Sequence, residues 1–251
     1  MARSVAGTIV RIALIVFGVL VLGVAYVFSQ MPSGGPPRVE AAPNVVGVVT
    51  GGAYAWVIKT AQGAVLVDVG MEDAAALKAE LKAQGIDPAS IRDVLVTHGH
   101  ADHWGAAAQF PQATFHVGPG DVALIRGERK PRAFMPKLFG SMVGALPPPA
   151  KLVELKGDET LTLEGETFQV LHVPGHTPGS VMFLYKDLLF TGDSLLKKGD
   201  GVAIISGLFS DDQARNRESL KKLQSVPFTR IADGHSGVTE DARQKLARFR
   251  Q

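Results

Sequence analysis

The chain has 251 residues, of which 46% are hydrophobic and 20% charged, enough apolar material for a sizeable core and too little charge for a disordered chain. Lysine and arginine number 26 against 24 acids, too even a balance for a protein that binds nucleic acid through bulk charge, so no nucleic-acid partner is expected. Cysteine is absent, which excludes disulfide frameworks, thiol nucleophiles and thiolate-held metal clusters and leaves His, Asp and Glu as metal ligands.

Residues 1–8 read as a short cytoplasmic N-terminus, and 9–29 as a transmembrane anchor. The run from Ile12 to Phe28 carries no charge, and roughly 20 apolar residues span a bilayer core as a helix. A cleaved signal peptide is the alternative, with Val27 and Ser29 as the small residues near a cleavage point, although the apolar run is long for one. Arg3 and Arg11 precede the span and the next base is Arg38. The positive-inside bias then places everything after it on the non-cytoplasmic side of the cell membrane, tethered by a single pass to membrane lipid. Cleavage would instead give a secreted or periplasmic protein. The Pro/Gly tract MPSGGPPR (31–38) makes 30–43 a linker, and 44–251 a single folded domain.

Within that domain the Val-rich runs 45–50, 53–60 and 64–70, separated by Gly turns, read as successive antiparallel strands. Residues 72–84 read as a helix ended by Gly85. A strand at 91–97 runs into HGHADHWG, with a short helix over 101–110 and a further strand at 114–117. Residues 126–149 show no clear periodicity. Strands follow at 160–163, 168–173, 180–186, 187–193 and 229–235, with helices at 211–224 and 239–250. Two similar halves of strands and helices predict two sheets packed face to face with helices outside.

Three of the seven histidines fall within six residues, in His98-Gly99-His100-Ala101-Asp102-His103. Leaving a strand, His98 and His100 can point to one side, while Asp102 and His103 aim at a second point from a helix start. The segment thus offers partial shells for two divalent ions, each of which needs ligands from elsewhere. His176 in PGHTPGS, Asp193 in TGDS and His235 in DGHSG each follow a strand, where loops gather at a sheet edge. His116 and His172 sit inside strands and read as core or interface histidines, with a role behind the ligands as the alternative for His172.

On these motifs the chain resembles the metallo-β-lactamase-fold metallohydrolase superfamily over about residues 45–250. The HxHxDH motif is met by 98–103, and the later single-residue motifs by His176, Asp193 and His235. The resemblance implies an α+β fold, an αββα sandwich with the site at one edge between the sheets. It implies two divalent metal ions, zinc first and manganese or iron as alternatives. One would be held by His98, His100 and His176, the other by Asp102, His103 and His235, with Asp193 bridging. Asp68, in VLVDVG, matches an aspartate that buttresses the His loop.

Two bridged ions can share a water and lower its pKa towards 7, with Asp102 as the catalytic residue that orients it and carries a proton. The expected reaction is metal-dependent hydrolysis of a small-molecule ester, lactone, thioester or amide. An aspartate at 193 resembles the glyoxalase II, lactonase and phosphodiesterase branches more than the β-lactamases, although β-lactamase activity stays an alternative. So do a mononuclear iron persulfide dioxygenase and a non-catalytic binding protein of the same fold. No Tyr follows Asp193 as it does in lactonases; Lys197 and Lys198 in that stretch read first as plain surface lysines, with either as a substitute for the Tyr as the alternative. No basic glutathione-binding tail is evident after His235, so a glutathione thioester is not the expected substrate. In 126–149, Phe134 and Phe139 interleave with bases, which suits either a substrate lid or a membrane-facing patch. The oligomeric state is left open by the sequence.

Overall fold

Strands of this chain are apolar on successive residues because both of their faces are covered. In the segment Ala53–Lys59, Trp56 and Ile58 turn to one side and Ala55 and Val57 to the other, and all four are buried. The computed structural model describes residues 2–71 and 73–248. Glu72 of the expected 72–84 helix, residues 249–250 of the expected 239–250 helix, and the outer ends of the ranges 1–8 and 44–251 lie outside the described residues.

The chain divides into two units, Met1–Met31 and Pro32–Gln251. The first is helix α1 (Ala2–Gln30). Its stretch Arg11–Gln30 has a mean hydropathy of 2.7 and is long and apolar enough to cross a membrane.

The second unit contains β1 (Arg38–Ala42), β2 (Val45–Thr50), β3 (Ala53–Lys59), β4 (Ala64–Val67), α2 (Ala75–Ala83) and β5 (Asp93–Val96). Then come α3 (Ala101–Trp104), β6 (Thr114–Val117), α4 (Val122–Ile125), α5 (Phe134–Val143) and β7 (Lys151–Glu154). Among the described residues these strands form one sheet in sequence order, antiparallel from β1 to β4 and parallel from β4 to β7. The second half supplies β8 (Glu159–Leu163), β9 (Glu166–His172), β10 (Val181–Tyr185), β11 (Leu188–Gly192), β12 (Leu196–Lys198) and β13 (Gly201–Ala203). It ends with α6 (Gln213–Ser219), β14 (Arg230–Asp233), β15 (Val238–Thr239) and α7 (Ala242–Arg248). The second sheet has the order β15-β14-β11-β10-β9-β8, with β11 and β14 parallel.

Three apolar layers bind these parts into a helix–sheet–sheet–helix sandwich. Between the sheets, Tyr54, Trp56 and Leu95 meet Phe168, Phe183 and Phe190. Outside the first sheet, Val57, Leu66 and Val94 meet Leu77 and Leu81 of α2 and Trp104 and Phe110. Outside the second, Met182, Leu184 and Ile231 meet Leu220, Leu223, Phe228 and Leu246. Each such side chain contributes roughly 1.5–3 kcal/mol on burial, so all three layers hold the sheets in register.

Several local readings need correction. The stretch 30–43 is not linker throughout: Gly35 N donates to His235 O, and β1 pairs with β2. RVEAA has weak strand propensity alone and becomes a strand by completing the free edge of β2. Residues 126–149 contain a ten-residue helix, α5. Pro136 lies in its first turn, where a missing N–H costs nothing. The 101–110 helix is two pieces, α3 and a turn at Ala107–Gln109, and 211–224 continues from α6 as a tighter turn over Leu220–Ser225.

Candidate metal centre

The carboxyl ends of β4, β5, β11 and β14 fall on one edge of the sandwich, because β4 runs parallel to β5 and β11 to β14. Asp68 follows β4, Thr97 and His98 follow β5, Asp193 follows β11 and His235 follows β14. His176 lies in the turn between β9 and β10. Val181 N donates to Thr97 O at 2.9 Å, joining the sheets at this edge.

The side chains converge. His98 Nε2 and His100 Nδ1 are 3.1 Å apart. Asp193 lies between two groups of imidazoles: its Oδ2 is 3.0 Å from His235 Nε2 and 3.8 Å from His176 Nε2, and its Oδ1 is 3.4 Å from His103 Nε2. Asp102 Oδ2 reaches His235 Nε2 at 3.6 Å and His103 Nε2 at 3.7 Å. Three sets each place their ligand atoms within 4.8 Å of one another: His98, His100, His176; His98, His103, Asp193; and Asp102, His103, His235. The Nε2 atoms of His100, His103 and His176 and Oδ1 of Asp193 are buried without a hydrogen-bond partner. Buried polar atoms are ordinarily paired, so four unpaired atoms of metal-ligand type, spread over two adjoining sets, fit bound divalent metal.

The outward ring nitrogens explain why these lone pairs face inward. His103 Nδ1–H donates to Asp68 Oδ2 at 2.7 Å, which turns Nε2 towards the cluster. Thr97 Oγ1 donates to the same oxygen at 2.7 Å and can therefore accept from His98 Nδ1–H at 3.1 Å. One aspartate thus sets the tautomer of two candidate ligands. Its φ of 56 is unusual for a residue with a side chain and turns the carboxylate back onto Thr97 N at 2.8 Å. His235 Nδ1–H donates to Gly52 O at 3.0 Å.

Burial and the neighbouring imidazoles push His98 and His176 well below the usual histidine pKa, and burial lowers His100 as well. Neutral imidazole is the ligand form. Burial also opposes charge on His103 and His235, yet the carboxylates overcome it. Asp102, Asp68 and Asp193 hold His103 at about 9, and Asp193 with Asp102 holds His235 at about 10. Burial would raise Asp193, but His235, His103 and His176 keep it below the ordinary carboxylate range. This half of the cluster carries an excess of negative charge that a divalent cation would neutralise.

Three supporting residues were not singled out in the sequence. Thr97 is one. Asp121, fully buried in GPGD after β6, accepts from Gly99 N at 2.7 Å, Gly179 N at 2.8 Å and Thr177 Oγ1 at 2.5 Å, tying the first His loop to the His176 loop. Asp233 accepts from the backbone N–H groups of His235, Ser236, Gly237 and Lys197, which shapes the turn that presents His235. A signal existed for both: each is an acid beside Gly at the end of a strand or in the turn that follows it. Gly234 must stay small, since a Cβ there would run into Asp193 Oδ1 and come within 2.9 Å of His103 Cε1.

The remaining expected residues lie apart. Phe134 and Phe139 are exposed on α5. Lys197 is exposed, and it is its backbone N–H that bonds Asp233. His172 Nε2 bonds Pro178 O at 3.1 Å, behind the His176 turn. His116 Nε2 pairs with Asp93 Oδ1 at 2.7 Å across β5 and β6. His116→Ala should therefore leave metal content and turnover unchanged and cost about 1 kcal/mol of stability for a part-exposed pair. Metal analysis and denaturant unfolding read the two effects.

A family model described as the metallo-beta-lactamase superfamily matches residues 48–235. A hydroxyacylglutathione hydrolase from Albidiferax ferrireducens is 31% identical over 188 residues, covering 72% of this chain and 61% of its own length. An uncharacterized protein from Mycobacterium bovis is 31% identical over 207 residues, covering 77% of this chain and 89% of its own. The chain spans about three-fifths of the length of the hydroxyacylglutathione hydrolases it matches. A metallo-beta-lactamase family protein from Thermus thermophilus superposes with a TM-score of 0.65 at 22% identity, over 84% of this chain and 79% of that one, and shares the fold.

Proposed function

The chain belongs to the metallo-beta-lactamase superfamily, and on that premise we propose that it is a membrane-anchored, dinuclear metal-dependent hydrolase of a carbonyl substrate: an ester, lactone, thioester or amide. The observation that carries the reading is the position of Asp193. Its two oxygens face imidazoles on both sides of the cluster, the placement a bridging carboxylate needs between His98, His100 and His176 on one side and Asp102, His103 and His235 on the other. Relatives named hydroxyacylglutathione hydrolase support an acyl substrate. Divalent ions, zinc foremost, would supply Lewis acidity and a water acidic enough to ionise near neutral pH.

The chain's own residues do the remainder. Asp68 and Thr97 fix the imidazole tautomers, so that the ligands are preorganised. Asp102 has a third of its side chain exposed, against 6% for Asp193. It is the cluster's carboxylate with access to solvent and substrate, and it takes the nucleophile's proton and passes it to the leaving group. The apolar walls of the two sheets exclude water behind the cluster and strengthen every charge in it. Helix α1 serves as the anchor, with Arg3 and Arg11 retaining the N-terminus in the cytoplasm and the hydrolase domain exported.

The test is metal analysis of the purified full-length chain together with turnover of ester, lactone, thioester, β-lactam and phosphodiester panels. Two divalent ions per chain and carbonyl hydrolysis, lost on chelation and restored by zinc, are expected. One iron per chain with oxygen consumption on a persulfide would replace the proposal with a dioxygenase. A chain that holds no metal would end it.

A further inference from the structure

Helix α5 is amphipathic and almost uncovered. At 100° per residue, Phe134, Met135, Leu138, Phe139, Met142 and Val143 occupy one half of its circumference, and Lys137, Gly140 and Ser141 the other. Met135 alone of the helix is buried, while Phe134 is 60% and Met142 74% exposed. Its base is fixed: Arg132 N and Ala133 N both donate to Asp211 Oδ1, and Met135 N to Leu208 O. The start of the helix is therefore held to the domain, with Met135 turned inward, and beyond it Leu138, Phe139, Met142 and Val143 stand exposed along with the polar half. Around it, Arg126, Lys130, Arg132 and Lys137 are exposed, and among the described residues none of their side chains makes a hydrogen bond or ion pair. Glu128 is the single acid between Asp121 and Lys151. An apolar helical face rimmed by unpaired cations matches the headgroup–acyl boundary of an anionic bilayer.

Chain connectivity supplies an independent argument. Helix α1 ends at Gln30, and Gly35 is already bonded within the domain, so five Cα steps, at most about 18 Å, separate the two. A domain on so short a tether has a bilayer surface within reach at all times, at high effective concentration. We propose that α5 and its basic flank dock onto an anionic membrane surface, as a second contact beside the N-terminal anchor. The proposal rests on the anchor reading for the tether, and the experiment below separates the two.

Because the chain has no cysteine, Met142→Cys gives a single labelling position on the exposed face, and Ala61→Cys a control in the β3–β4 turn at the sheet edge opposite the metal centre. Each full-length variant carries an environment-sensitive fluorophore and is reconstituted into vesicles of phosphatidylcholine, with or without phosphatidylglycerol, containing a spin-labelled quencher lipid. The label at 142 should shift to the blue and be quenched in the anionic vesicles, and the label at 61 should not. Lys130→Glu with Arg132→Glu should reduce the quenched population, at roughly fivefold per cation, and added salt should do the same. Flotation with the vesicles after carbonate washing reads the anchor separately. Flotation with a label at 142 that stays in water overturns α5 docking and keeps the anchor, whereas quenching without carbonate-resistant flotation does the reverse. Shielding in detergent that grows with protein concentration would assign the face to a second copy. Shielding that requires an acyl substrate and ignores lipid would make α5 a lid. Either result overturns the proposal.

Discussion

Asp193→Ala will lower bound metal at both halves of the cluster and reduce turnover by about 10³-fold or more. The carboxylate is buried, and its oxygens lie 3.0 to 3.8 Å from three imidazole nitrogens that belong to different groups of ligands. Nothing nearby can replace it, because the other acids of the site are committed: Asp68 to Thr97 and His103, and Asp102 to the His103–His235 side. Loss of several kcal/mol of transition-state charge stabilisation corresponds to about three decades in rate. His176→Ala provides the contrast. It removes one imidazole from the His98–His100 side, so it should deplete about one ion per chain and leave the Asp102–His103–His235 set able to bind. Metal content by mass spectrometry, beside kcat, distinguishes the two variants. If Asp193→Ala kept two ions and its full rate, Asp193 would not bridge.

Asp121→Ala should lower both stability and metal affinity, although Asp121 is in none of the three ligand sets. Its carboxylate accepts two backbone N–H groups and one hydroxyl from two loops far apart in sequence, at Gly99 and at Thr177–Gly179. Alanine leaves the buried N–H groups of Gly99 and Gly179 without an acceptor, at about 1–3 kcal/mol each, while Thr177 Oγ1 keeps Ser180 Oγ at 2.8 Å. A loss of about 2–6 kcal/mol follows, or a fall in Tm on the order of 10 °C for a domain of this size. The same change frees the His98–His103 loop to move relative to His176, which should weaken metal binding by about 10–100-fold. Thermal unfolding and competition with a chromogenic chelator measure the two effects. Asp121→Asn keeps one acceptor oxygen and should fall between. An alanine variant with unchanged Tm and metal affinity would show that the loops are coupled by other means.

Much of the fold was legible because burial on both strand faces leaves uninterrupted Val, Leu and Phe runs, as in VVGVVT, AVLV and VMFLY. The elements that were not legible have weak local signals. RVEAA becomes a strand through pairing with β2, and Pro136 and Gly140 disguise the helical spacing of Phe134, Leu138 and Met142. At the site, the six-residue HGHADH motif is dense enough to read directly, since adjacent residues must share a neighbourhood whatever the fold. Asp121 and Thr97 carry no such density. Asp121 bonds residues 22 to 58 positions away, and Thr97, although next to the motif, takes its role from Asp68, 29 positions away.

The sequence by itself determined the chemistry on offer: imidazoles and carboxylates without thiols, set at strand ends, behind an uncharged run long enough for a bilayer. Ligand type and strand periodicity are local properties, and a linear pattern expresses them. Only the tertiary structure decided which carboxylate stands between the two groups of imidazoles, which nitrogen of His98 and His103 faces inward, and that most of the apolar side chains of α5 stay exposed. Those outcomes depend on hydrogen bonds and packing between segments that meet only when the two sheets close, because a tautomer or an exposed face is fixed by what lies beside it in space.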